Sequence, residues 1–228
     1  MSQYDYTIGK EVDLAKEQER TLSTPRLRSN IILRMMYITF DLVYGFKRTL
    51  PKFKVLEILA RYPYWAWENG SYHRFTKLLA GRRELAEVKT EELHHIIDLG
   101  RVSQDNEQTH MLLLDNIIHR RGMKLGWIRH LLIVRILAFG YYYFTRILYH
   151  LSPVSSFKMN AAFESHAEHE YMQMAKENPQ WDDEPIDSVY LKLYPSQKSL
   201  NDLIRRIALD ERDHMYHSLE EVERLSKH

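Results

Sequence analysis

Apolar residues recur along this chain at three- and four-residue intervals and nowhere alternate as a half-buried strand requires. Prolines at 25, 51, 153, 179, 185 and 195 divide the pattern. The spacing predicts helices over about 26–48, 52–80, 90–121, 125–151, 154–177 and 199–225. Pro63 falls inside the second and is expected to kink it. Ser199, followed three residues on by Asp202, reads as a capping box opening the last. The stretch GRRELAEVKTEE, residues 81–92, reads as a polar turn or short charged helix, and 178–197 as irregular. There is no internal repeat, low-complexity tract or Gly/Ser linker. The expected organisation is a polar N-terminal arm over 1–25, then one all-α domain over 26–228.

Two segments are unusually apolar. One runs from Ile31 to Phe46 and is interrupted by Arg34 and Asp41; the other runs from Leu125 to Leu151 and carries Arg129, Arg135 and Arg146. A span needs about 20 mostly apolar residues. The longest stretch of the second segment free of charged residues and His is ten residues, Ile136 to Thr145, so neither segment reads as a transmembrane helix. Apolar and aromatic helices with spaced basic residues suit the bilayer interface, or else a core or dimer seam. Trp127, Tyr141, Tyr142, Tyr143 and Tyr149 are rings of the kind found at headgroup level. The first twenty residues lack the basic and apolar regions of a secretory signal, and their acids do not suit a transit peptide.

Composition narrows the chemistry. The 228 residues carry 32 Lys and Arg against 31 Asp and Glu, a net charge of +1. That argues against a nucleic-acid-coating protein, which needs a basic excess. The absence of Cys excludes disulfides, thiolate metal sites, iron–sulfur clusters and thiol nucleophiles. With 12 His and many acids, a bound metal would take nitrogen and oxygen ligands.

Two fragments share one spacing: Glu107-x-x-His110 in the third predicted helix and Glu211-x-x-His214 in the last. Positions i and i+3 lie on one helix face, so each pair can offer a carboxylate and an imidazole to one ion. A four-helix di-metal carboxylate site also needs one Glu from each of two further helices. Glu57 sits among aliphatics in VLEILA, and Glu164 follows Ala161-Ala162-Phe163. A buried carboxylate there needs a cation or a proton. Such a carboxylate-rich set suits iron or manganese. Tyr171, two turns past Glu164, could donate an electron or hydrogen atom; Asn106 and Asp210, each preceding a Glu of the set, could orient it.

The segments VLEILARYPYWA, DNEQTHMLLL, YYYFTRILYHLSP, FESHAEHEY and LDERDH, taken together, resemble the alternative oxidases, and most closely their plastid terminal oxidase branch, over about residues 27–225. The resemblance implies a ferritin-like four-helix bundle with two additional membrane-associating helices. It implies a non-haem di-iron centre, two iron ions, with Glu57, Glu107, His110, Glu164, Glu211 and His214 as ligands and Tyr171 as the active-site tyrosine. The implied activity is oxidation of quinol (plastoquinol or ubiquinol) with reduction of dioxygen to water and no proton pumping. The implied setting is a homodimer on one membrane leaflet, thylakoid or bacterial inner membrane, with the mitochondrial inner membrane as alternative. Lys52 stands where the family often has an Arg near the quinol, and Ala208 where an Arg is usual. The stretch between Glu57 and Glu107 is longer than usual, and the insertion of plant plastid enzymes before the last helix is missing. These departures suggest a cyanobacterial, viral or divergent algal relative. A di-iron hydroxylase of quinone biosynthesis, a non-catalytic subunit of a membrane complex and an iron-storage protein are the other readings of the same residues.

Overall fold

The computed structural model describes residues 4–80 and 87–227, all helix, turn or coil with no strand. Among the described residues seven α-helices follow one another: α1 Leu14–Ser23, α2 Ile31–Tyr44, α3 Leu50–Ala80, α4 Glu87–Arg120, α5 Val134–Leu151, α6 Pro153–Glu177 and α7 Leu200–Ser226. A π-helical turn, Ile128–Ile133, leads directly into α5. Two 3-10 turns, Pro179–Asp182 and Val189–Leu193, lie in the irregular stretch before α7.

Caps set several boundaries. Asn30 accepts from Leu33 N and opens α2, which is therefore shorter than the expected 26–48. Ser152 caps α6 with Pro153 at its first position, and Ser199 Oγ accepts from Asp202 N to open α7. α3 remains helical through Pro63. Of the stretch expected as a polar turn or short helix, residues 81–86 lie outside the described residues and the remainder belongs to α4.

The bundle is built from two antiparallel pairs. Lys54 meets Asp115, Arg61 meets Gln108 and Arg101 meets Glu68, so α3 and α4 run in opposite directions. Asn160 meets Ser218, Arg212 meets Glu168 and Asn201 meets Ala175 O, which does the same for α6 and α7. Gly100 lets α3 and α4 close up: a Cβ there would lie 2.9 Å from Tyr64 O. One apolar cluster, with Leu113, Leu114, Tyr171, Leu203 and Ala208, fills one end of the bundle, and another, with Tyr64, Trp67, Ile96, Tyr149 and Phe157, fills the other.

Residues 14–23 of the expected polar arm form α1. Leu14 and Leu22 pack against the apolar cluster around Tyr171 and Leu203, and buried polar contacts add to their hold. Arg212, buried on α7, donates to Glu168 Oε1 at 2.8 Å, to Thr21 Oγ1 at 2.7 Å and to Glu17. Upstream, Thr7 N and Ile8 N donate to Asp213, so the chain before α1 is pinned to α7 as well.

α2 and the 128–151 helix lie over α3 and α6 and keep an apolar outer face. Ile31, Met35, Ile38, Leu42, Trp127, Ile136, Phe139 and Leu151 are exposed. By length and composition Ile128–Leu151, 24 residues, is apolar enough to cross a membrane, contrary to the expectation from its interrupted sequence. Its arginines are spaced widely enough to break the run without making the whole helix polar. It is also one-sided: Val134, Ala138, Tyr141, Thr145 and Tyr149 are buried against the protein. Tyr141 and Tyr149 are thus interior rings rather than members of an interfacial belt.

Candidate metal centre

The four long helices α3, α4, α6 and α7 each deliver one glutamate to the middle of the bundle. Glu57, Glu107, Glu164 and Glu211 are buried there, together with His110 and His214. The ligand atoms fall into two overlapping sets, each within 4.8 Å: Glu57, Glu107, His110 and Glu211 in one, Glu107, Glu164, Glu211 and His214 in the other. Glu107 and Glu211 are common to both. The geometry is that of two adjacent ion positions sharing two carboxylates, each completed by one further Glu and one His.

Both imidazoles turn Nδ1 inward. His110 Nδ1 lies 3.2 Å from Glu57 Oε2 and 3.4 Å from Glu211 Oε1; His214 Nδ1 lies 2.8 Å from Glu107 Oε1. On its outer side His110 Nε2 is 3.1 Å from Asp210 Oδ2. Asp210 also accepts from Tyr194 OH at 2.5 Å, from Arg206 Nη2 at 2.9 Å and from Asn106 Nδ2 at 3.4 Å. An ionised Asp210 so held makes His110 Nε2 the donor and leaves the Nδ1 lone pair for a cation. The two residues expected to orient the set, Asn106 and Asp210, therefore lie beside it and touch each other.

The donors fit a metal. Both oxygens of Glu107 and of Glu211 and Glu164 Oε2 are buried with no well-formed hydrogen bond, and the charges that face Glu107 and Glu211 are those of the two imidazoles. Buried polar atoms are almost always paired, and buried charge without a counter-ion costs several kcal/mol. Five buried carboxylate oxygens gathered around two adjacent positions are what cations would satisfy. Protons take that role in their absence. Burial, with the charges of Glu107 and Glu211, raises the Glu57 and Glu164 carboxyls well above the usual range. Burial works to lower both imidazoles, but the surrounding acids raise His110 and His214 well above an ordinary histidine. Burial likewise opposes ionisation of Glu107, yet the two histidines beside it hold its carboxyl low.

A comparison with family models matches residues 10–220 to the alternative oxidases. The chain belongs to the alternative oxidase family. Neither the comparison with curated proteins nor that with solved structures gives a match. Alternative oxidases are membrane-associated quinol oxidases with a di-iron site, and the buried cluster of this alternative oxidase fits a metal site.

Tyr171 OH donates to Glu57 Oε1, and its ring packs edge-on against Phe53 at 4.4 Å between centroids. Lys52 lies outside the cluster. Its Nζ donates to Asp41 Oδ1 at 2.5 Å and to Gly45 O at 2.8 Å, and its side chain lines a cavity of about 710 Å³ between α2, α3, α5 and α6. Phe53 lines the same cavity, so the ring against Tyr171 is part of its wall. His166 and Glu170 also line it; Arg26 contacts both, and Arg48 holds Glu170. Glu168 is tied to Arg212 instead, and His169 to the carbonyls of Ser165 and Thr24.

Three side chains around the centre carry no local signal strong enough to single them out. Tyr194 comes from the irregular stretch, and Asn160 donates to Glu164 Oε1 at 3.0 Å from one turn earlier on α6. Tyr64 donates to the same oxygen at 2.7 Å. Tyr64 alone had a findable mark: it follows Glu57 by seven residues, as Tyr171 follows Glu164.

Proposed function

We propose that this chain is a quinol:oxygen oxidoreductase of the plastid terminal oxidase type, working as a homodimer on one membrane leaflet. Glu57, Glu107, His110, Glu164, Glu211 and His214 would hold two irons, Glu107 and Glu211 being common to both ligand sets. The carrying observation is the pair of overlapping buried ligand sets with their buried carboxylate oxygens. Two irons would supply the electron exchange between quinol and dioxygen. The rest of the work falls to the chain. His110 is kept in one tautomer by Asp210, and Tyr171 OH stands between the cavity wall and Glu57. The apolar layers at both ends of the bundle keep bulk water from the carboxylates.

The cavity supports quinol as the substrate. It is lined mainly by apolar side chains such as Met36, Phe40, Leu56 and Phe163, with Asp41, Arg48, Lys52, His166 and Glu170 as its polar groups. Such a mixture holds an aromatic diol by its ring and its oxygens. Lys52, already committed to Asp41 and Gly45, acts as a fixed positive charge in that wall. The exposed apolar faces of α2 and Ile128–Leu151, with Arg28, Arg34, Arg129 and Arg135 near them, support seating in the headgroup region. The buried inner face of α5 favours lying on the bilayer over crossing it. A protein confined to one leaflet offers no path across it, so protons from quinol and protons for water are exchanged without net transport.

The test is oxygen uptake by the purified protein in liposomes, with plastoquinol or ubiquinol as donor. Two irons per chain, quinol-dependent uptake that Glu107→Ala abolishes, water as product and no membrane potential are expected. Well under two irons with no quinol-dependent uptake rejects the reading, and a hydroxylated quinone as product replaces it with a hydroxylase.

A further inference from the structure

The fold treats the two unshared carboxylates alike. Tyr171, seven residues after Glu164 on α6, donates to Glu57 on α3; Tyr64, seven residues after Glu57 on α3, donates to Glu164 on α6. Two phenols therefore bracket the centre in corresponding places, each reaching across to the other helix. They differ in what lies behind them. Tyr171 backs onto Phe53 and the cavity. Tyr64 backs onto Trp67, whose ring it meets edge to face at 5.1 Å between centroids, and it also stands 5.4 Å from the His214 ring. Trp67 is fully buried, donates Nε1–H to Ser156 Oγ at 2.8 Å and packs on Phe157 at 4.3 Å. A buried tyrosine hydrogen-bonded to a carboxylate of the centre, in contact with a buried tryptophan, is a second site from which an electron can be drawn.

We propose that Tyr64 is a second redox-active tyrosine of the di-iron centre and that Trp67 shares its oxidising equivalent. The inference rests on the oxidase reading, which names the oxidant: dioxygen at the reduced centre. Full reduction of one dioxygen to two waters takes four electrons and four protons, and all four protons come from solvent. Two ferrous ions held by the six ligands would supply two of the electrons. Tyr171 gives a third, passing its phenolic proton to Glu57. Tyr64 gives the fourth: its O–H bond breaks, the electron goes to the centre and the proton goes to Glu164 Oε1, along the 2.7 Å hydrogen bond already present. Trp67 can then return one electron to Tyr64, which retakes its proton from Glu164, leaving the indole oxidised. With this second phenol the reduced centre carries enough electrons to finish dioxygen without a quinol in the cavity. With Tyr171 alone it is one short.

The experiment is a single turnover: ferrous-loaded protein without quinol is mixed with dioxygen and freeze-quenched, and the radicals are read by electron paramagnetic resonance, with hydrogen peroxide measured in parallel. Tyr171→Phe is expected to keep a tyrosyl signal that the Tyr64→Phe/Tyr171→Phe double variant lacks. Tyr64→Phe alone is expected to lose one of the two radicals and to release more peroxide, and Trp67→Phe to lengthen the life of the Tyr64 radical. Phe retains the ring packing, and Asn160 still donates to Glu164 Oε1; iron content checks that the centre is intact. Ring-deuterated tyrosine in the unsubstituted chain reads the same signal with no substitution. If Tyr171→Phe binds two irons and oxidises them normally yet shows no tyrosyl radical, Tyr64 only positions Glu164 and the inference is overturned alone. A protein that takes up no iron, or leaves dioxygen untouched, overturns the oxidase reading with it.

Discussion

Filling the centre with two ferrous ions is expected to expel about four protons per chain near neutral pH. The count comes from the site. Without metal, Glu57 and Glu164 hold their protons because burial and the charges of Glu107 and Glu211 raise them. His110 and His214, raised by the acids around them despite burial, each hold a second ring proton. Glu107 is held low by those same histidines and has none to lose. Metal ligation needs ionised carboxylates and an imidazole lone pair, so two carboxyl protons and two imidazolium protons must leave. Charge balance agrees: four carboxylates neutralise two divalent ions. Titration calorimetry in buffers of different ionisation enthalpy reads the number directly, as the slope of apparent binding heat against buffer heat. Glu164→Gln, which carries no acidic proton, should lower the count by about one. A release of one proton or none, with two irons bound, would refute the reasoning, because the crowded acids would then be ionised already and something else would balance their charge.

The same protons govern the metal-free fold. Glu57, Glu164 and both histidines have folded pKa values above their unfolded ones, so their contribution is fully present at low pH and lost as pH rises past 4.5 for the carboxyls and 6.5 for the imidazoles. Urea melts of metal-free protein should therefore weaken between pH 5 and 8 by up to about 1.4 kcal/mol per pH unit for each excess proton held. Iron-loaded protein should weaken less, and parallel curves would count against the account. Asp210→Asn should lower iron affinity by about 10- to 100-fold in chelator competition, because His110 loses the anion that fixes its tautomer. Gly100→Ala should destabilise by roughly 1–3 kcal/mol, since the new Cβ would stand 2.9 Å from Tyr64 O and 3.2 Å from Glu68 Cβ. Gly140→Ala, with nothing within 4 Å, serves as its control. Ile38→Glu with Leu131→Glu, both on exposed faces, should abolish sedimentation with anionic liposomes while leaving the melting temperature in detergent unchanged.

The centre is legible in the sequence for a chemical reason. A helical carboxylate site has to place its donors at i and i+3 and its lone acids among apolar residues, and both marks are local. What surrounds the donors leaves no such mark. Asp210 stands next to Glu211 in the chain, but its role depends on Tyr194, sixteen residues earlier in a stretch with no periodicity. α1 escapes an apolar-pattern search because its only fully buried residue is Thr21, its packing leucines Leu14 and Leu22 are only partly buried, and its polar anchor Arg212 lies nearly two hundred residues away. The tyrosines of α5 mislead in the opposite direction. Tyr141, Tyr142 and Tyr143 look alike in sequence, yet the helical turn buries the first and exposes the third.

The arrangement of the bundle follows from one constraint. Four acids in an apolar interior are tolerable only if each has either a cation or a donor, and there is room for few donors. The two shared carboxylates face only the imidazoles of His110 and His214, so their four oxygens are the ones free to take ions. The two unshared ones each receive a phenol, Tyr171 on Glu57 and Tyr64 on Glu164, and these phenols restrict how those carboxylates can turn. The groups that steady the acids are thus the most easily oxidised side chains in contact with them. The proposed routes by which dioxygen would draw electrons from the protein begin at those hydrogen bonds. The same contacts that help a site of four buried acids to fold are therefore where the proposed oxidation of the protein would start.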